Sequence, residues 1–141
     1  MSKGDSTSQV NEVNRISTGT EFNGVLNSSS DIRIDGKFEG KITTTGKLVI
    51  GESAHFTGEI TARSCDIWGY VDGKILVKEV FGLRKSAVIK GRIACQKIFI
   101  EEGVVFNGTC KMISEEEYED SIKTPEEIAH SGDKKNQGLN G

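Results

Sequence analysis

The chain has 141 residues, 35% hydrophobic, 6% aromatic and 28% charged, with a single proline and a formal net charge of −3. That length supports one domain whose few apolar residues must be placed efficiently to make a core. Nothing approaches the roughly 18 consecutive apolar residues of a membrane span, no apolar N-terminal segment resembles a signal peptide, and the odd cysteine count (Cys65, Cys95, Cys110) gives neither a disulfide framework nor metal-ligand spacing.

In chain order, residues 1–15 (MSKGDSTSQVNEVNR) carry only scattered apolar side chains and are expected to be a disordered N-terminal tail. From Ile16 a phrase begins to recur. It reads "FNGVL" at Phe22, "FEGKI" at Phe38, "FTGEI" at Phe56, "VDGKI" at Val71, "IKGRI" at Ile89 and "FNGTC" at Phe106. The central glycines, Gly24, Gly40, Gly58, Gly73, Gly91 and Gly108, are spaced 16, 18, 15, 18 and 17 apart. A second apolar column precedes them at Ile16, Ile34, Ile50, Ile67, Leu83 and Ile100, and a weaker third follows at Ala62, Val77, Cys95 and Met112.

Alternation at period two, broken by Gly, Ser, Asn and Asp, marks short strands with bends. A repeat of about 17 residues is too short for helical solenoid units. The pattern predicts an all-β, single-stranded parallel β-helix of about six coils over residues 16–112, each coil having three sides and stacking at about 4.8 Å, for a rise of about 29 Å. Residues 113–141 hold 8 Asp and Glu against 3 Lys and Arg, whereas residues 16–112 carry 13 Lys and Arg against 11 Asp and Glu. The acidity therefore lies in the C-terminal tail. There, Ser114-x-x-Glu117 and Thr124-Pro125-Glu126-Glu127 resemble helix starts. Too few apolar residues follow for a cap, so this tail is expected to be mostly disordered, with transient helix at most.

Solenoids normally cap both ends, because a terminal coil presents an unpaired backbone row and an uncovered apolar layer. With neither end capped, covering three to five side chains stabilises by roughly 5–15 kcal/mol, against an association cost of about 4–15 kcal/mol. Ladder hydrogen bonds of about 0.5–1.5 kcal/mol each and a preformed rigid end tip that balance toward end-to-end polymerisation. Among these residues there is no phosphate-binding loop, so no nucleotide or other cofactor is expected.

The repeat from Ile16 to Met112, including "IRIDGKFEGKI" and "LVIGESAHFTGEI", resembles the bactofilin family of bacterial cytoskeletal proteins. The resemblance implies a right-handed triangular β-helix that assembles end to end into nonpolar, nucleotide-independent filaments. It also implies a scaffold placing cell-wall or shape factors in the cytoplasm or at the inner face of the membrane. Family members often carry a short apolar N-terminal membrane-targeting segment; here Val10 is the only large apolar residue after Met1 in the first twelve, so direct membrane binding is not expected.

On this reading the C-terminal joint would be formed by Phe106, Ile98, Ile100 and Met112, and the N-terminal joint by Ile16, Phe22 and Leu26. Phe106 sits where the resemblance implies a buried aromatic residue near the subunit contact. Trp68 and Tyr70, flanking Gly69, are expected to point outward, either as a lateral or partner contact with Arg84 and Lys85 or partly packed against the neighbouring coil. Lys90, Arg92 and Lys97 join those cations in the later coils, but no aromatic residues are interleaved and the pI is about 5.5, so nucleic acid is not an expected partner. Two other readings stay open. One is a left-handed β-helix acyltransferase using His55, although such enzymes keep a stricter 18-residue coil; the other is a non-polymeric adaptor whose tails recruit enzymes. The cysteines read as small core residues.

Overall fold

The computed structural model describes residues 13–122. The expectations of disorder for residues 1–12 and 123–141, and the helix start at Thr124, lie outside them. Strands occupy Val13–Ile16 (β1), Glu21–Ser28 (β2), Asp31–Ile34 (β3), Lys37–Thr44 (β4), Lys47–Ile50 (β5), His55–Ala62 (β6), Ser64–Ile67 (β7), Tyr70–Leu83 (β8), Val88–Ile100 (β9) and Val105–Met112 (β10). One helix, Glu115–Ser121 (α1), follows. Every pairing is parallel and joins a strand to its counterpart one coil away, as in Gly24↔Gly40↔Gly58. The result is the parallel β-helix read from the repeat, with six coils.

Each coil is a short strand followed by an eight-residue stretch containing the phrase. In the fifth coil the short strand is the end of β8, and in the sixth it is the end of β9. The stretch can continue past its glycine because all six column glycines have positive φ, from 124° to 152°. A side chain there would be strained, and from Gly40 onward its Cβ would strike the carbonyl oxygen of the glycine one coil earlier. Glycine thus lets successive coils approach to strand-pairing distance.

Inward positions repeat because the register does. Ile34, Phe38, Ile42, Leu48, Ile50, Phe56, Ile67, Val71, Phe81, Leu83 and Ile89 are all fully buried. Phe22, Phe38 and Phe56 stack with centroids 4.8 and 5.0 Å apart and rings within 11° of parallel, so the aromatic column follows the strand spacing. In the four inner coils one inward strand position is polar. Thr44 stands where the next coil has Ala62; its hydroxyl donates to the Ser30 carbonyl at 2.7 Å and accepts from the Gly46 amide at 3.0 Å, so its burial leaves nothing unpaired.

The C-terminal tail departs from expectation at its start. Ser114 and Glu117 form a complete capping box, with the Glu117 amide donating to Ser114 Oγ at 3.1 Å and the Ser114 amide donating to Glu117 Oε1 at 2.9 Å. Tyr118 is buried, while Lys78 lies 3.3 Å from Glu119 and 3.8 Å from Glu115. The helix is held by tertiary contacts along the side of the rod, which outweigh the scarcity of apolar residues.

Candidate polymerisation interface

The two end layers are built from the same columns as the core but, among the described residues, have no further coil over them. At the C-terminal end, Ile98, Ile100, Phe106, Cys110 and Met112 are in register with Phe81, Leu83, Ile89, Ile93 and Cys95. Those five inner partners are at most 2% exposed. In the last coil Ile100 and Met112 are 51% and 52% exposed, Cys110 is exposed, and Ile98 and Phe106 are half-buried. The exposure comes from position alone.

At the other end, Ile16, Phe22 and Leu26 are half-buried, while their partners Ile34, Phe38 and Ile42 are fully buried. This layer is more polar than the other. Asn14 occupies the register of Ile32 and its amide donates to Ser28 Oγ at 3.1 Å, Ser28 standing in the register of Thr44. Backbone edges accompany both layers: β1 and β2 pair only with the second coil, and β10 pairs only with β9. The Ile113 amide extends that last ladder by one bond to the Cys95 carbonyl, after which α1 turns down the side and leaves the layer open. The structure therefore gathers Ile98, Ile100, Phe106 and Met112 on one face and Ile16, Phe22 and Leu26 on the opposite one. Cys110 belongs with the former; its place in the inward column could have shown that.

Trp68, Tyr70, Arg84 and Lys85 do not form a single free surface. Arg84 crosses the outer face with its guanidinium 5.6 Å from the Trp68 ring and 5.3 Å from the Phe99 ring. It also reaches Asp66 at 3.0 Å and Glu101 at 3.6 Å, while Lys47 reaches Asp66 at 2.9 Å. Gly82 leaves the room this requires, since a Cβ there would meet Asp66 Oδ1 and the Arg84 side chain. Lys85 is exposed and donates its backbone amide to Glu101 Oε1. Tyr70 stacks on His55 at 4.3 Å, with Lys90 5.8 Å above it. Both aromatics are thus partly packed against neighbouring coils. His55, the histidine considered for catalysis, is a stacked corner residue. The later cations lie on different faces: Lys90 pairs in register with Asp72, Arg92 with Lys74 and Lys97 with Val80.

Cys65 and Cys95 are buried in the core. Burial pushes the Cys95 thiol up to about 12, helped by its neighbour Cys110, and raises Cys65 further. Among the described residues no helix is long and apolar enough to cross a membrane, and no cluster of metal-ligating side chains is present.

Among the described residues, a parallel β-helix with a partly exposed apolar layer at each end defines the chain as a β-solenoid without capping repeats. The family model of bactofilins, described as polymer-forming cytoskeletal, matches residues 14–111, and the chain belongs to that family. It is 26% identical over 97 residues to bactofilin BacO of Myxococcus xanthus, covering 69% of this chain and 77% of that one. With bactofilin BacP of the same organism it shares 24% over 91 residues, which span 38% of BacP. Among solved structures it resembles the Thermus thermophilus bactofilin seen by electron cryomicroscopy in double helical filaments, with TM-score 0.67, 30% identity, and coverage of 71% of this chain and 99% of that one.

Proposed function

We propose that this protein is a cytoplasmic scaffold whose rods join end to end, without nucleotide, into filaments that pair like the double helical filaments of the Thermus relative. Factors acting on the cell wall or cell shape would be its cargo, recruited through surfaces outside the joints. One observation carries the reading: positions that are fully buried in the inner coils are partly exposed at Ile16, Phe22, Leu26, Ile98 and Phe106 and about half exposed at Ile100 and Met112 in the two end layers, and neither layer is covered by described residues of its own chain. A rigid apolar face flanked by free backbone edges loses little conformational entropy on docking, so burial and ladder bonds act together.

Phe106→Arg tests it. A guanidinium in the last layer has solvent on its open side, so the rod keeps its β signature and melting profile, while a joint made there would bury an unpaired charge. Expected is a folded protein that sediments as a small species and forms no filaments under negative stain, where the unmodified protein forms them with or without nucleotide. Filaments from the folded variant would place the joint elsewhere. Unmodified protein that stays monomeric across salt and pH would end the scaffold reading.

A further inference from the structure

The side of the rod formed by the residues after each column glycine carries charges that the fold itself does not use. The registers Lys41↔Glu59↔Lys74↔Arg92 and Thr61↔Leu76↔Ala94↔Lys111 set two outward rows side by side. Together with Ser121 and Ile122 at the end of α1 they line a groove of about 640 Å³. Lys41, Lys74, Arg92 and Lys111 make its wall cationic, with Glu59 the one carboxylate among its lining residues. Lys41 and Lys74 flank Glu59 one coil apart in register, yet none of these five groups has an ion-pair partner among the described residues. On the short-strand side, by contrast, Lys47, Asp66, Arg84 and Glu101 neutralise one another.

Directly beside the groove stands α1, with five carboxylates in seven residues. Glu119 and Glu115 turn toward Lys78, and Glu116 is exposed. One face of the rod therefore bears a cationic furrow next to an acidic ridge. An extended polyanion approaching the furrow would be repelled by the ridge. A second copy turned about a two-fold axis would instead lay its ridge on the first furrow and its furrow on the first ridge, the self-complementary geometry of an isologous contact.

We propose that this face is the lateral contact by which two filaments pair, with α1 of one rod seated against the Lys41, Lys74, Arg92 and Lys111 furrow of the other. The inference rests on the polymer reading above and assigns its strand pairing to a surface. Charge complementarity of this exposed kind sets register and is screened by salt, the Debye length falling from about 30 Å at 0.01 M to about 3 Å at 1 M.

The test uses the full chain and two charge-reversed variants: Lys74→Glu with Arg92→Glu in the furrow, leaving three carboxylates there against Lys41 and Lys111, and Glu115→Lys with Glu116→Lys and Asp120→Lys on the ridge, leaving three lysines there against Glu117 and Glu119. Circular dichroism confirms folding of each. Under negative stain at low salt the unmodified protein should show paired strands that separate into single ones as salt rises. Each variant alone should give single filaments, since furrow and ridge then carry the same sign. Mixing the two variants before assembly should restore pairs, because each ridge meets a furrow of opposite charge. Paired strands from either variant alone, or single strands from the mixture, overturn the assignment. Single strands from the unmodified protein at every salt concentration also overturn it. Failure to form any filament falls instead on the end joints.

Discussion

At Gly58 a single added methyl group would meet the carbonyl oxygen of Gly40, whereas at Gly24 the only atom near such a group is Cε1 of Phe22, 3.7 Å away. Both residues share the positive φ that disfavours any side chain, 136° and 141°. The two positions therefore separate backbone strain from collision between coils. Gly24→Ala should destabilise by about 1–3 kcal/mol, the usual cost of a strained non-glycine residue. Gly58→Ala should exceed that range, because a ladder carbonyl in the rod interior cannot turn aside without breaking its own hydrogen bond. Urea midpoints measured in the Phe106→Arg background, where assembly does not mask folding, give the comparison. Equal costs at the two sites would mean that the column serves the dihedral alone and not the spacing of coils. The glycine column was legible because it recurs. Thr44 was not, since its hydroxyl is satisfied by Ser30 and Gly46 in a turn that varies between coils.

Among the elements, the strands follow from the repeat and α1 does not. Its capping box could be read at Ser114 and Glu117, but its docking depends on Tyr118 and on Lys78, which lies 37 or more residues upstream of its helix partners. No periodic stripe announces such a contact. The helix is short for independent stability, so Tyr118→Ala should release it while the rod stays folded. Amide exchange should then lose protection across residues 115–122 and retain it in the central strands. Ser114→Ala should act in the same direction but more weakly, at about 1 kcal/mol. Loss of protection throughout the rod would show that α1 supports the coils themselves. The outer surface around Trp68 depends on cross-coil contacts in the same way. Trp68, Arg84 and Tyr70 look like a partner site in a linear reading, yet Phe99, Asp66 and His55, which hold them, come from adjacent coils. The end layers were legible because they continue the inward columns, and their graded exposure follows from the lack of a further coil over them among the described residues.

At the scale of the whole molecule, the described residues make six similar layers whose least covered core lies at the two ends, so the state of assembly should be readable from one chemical group at one end. Of the three cysteines, Cys65 and Cys95 are buried and Cys110 is exposed in the last layer. Burial holds Cys95 in its thiol form up to about pH 12 and Cys65 likewise well above its ordinary range, so neither offers a thiolate near pH 8. A disulfide reagent added to the Phe106→Arg monomer should therefore modify one thiol per chain, and Cys110→Ser in that background should remove the reaction. In assembled unmodified protein a joint across this layer covers Cys110, and its labelling rate should fall by more than about tenfold, the factor set by roughly 1.4 kcal/mol of protection. The converse also follows. A bulky maleimide attached to Cys110 before assembly stands in the layer that the next rod must meet and should prevent elongation, whereas Cys110→Ser, which adds no bulk, should still polymerise. Cys110 that labels equally fast in filaments and monomers, or maleimide-capped rods that elongate normally, would show that this end stays open in the polymer and that the rods meet through another surface.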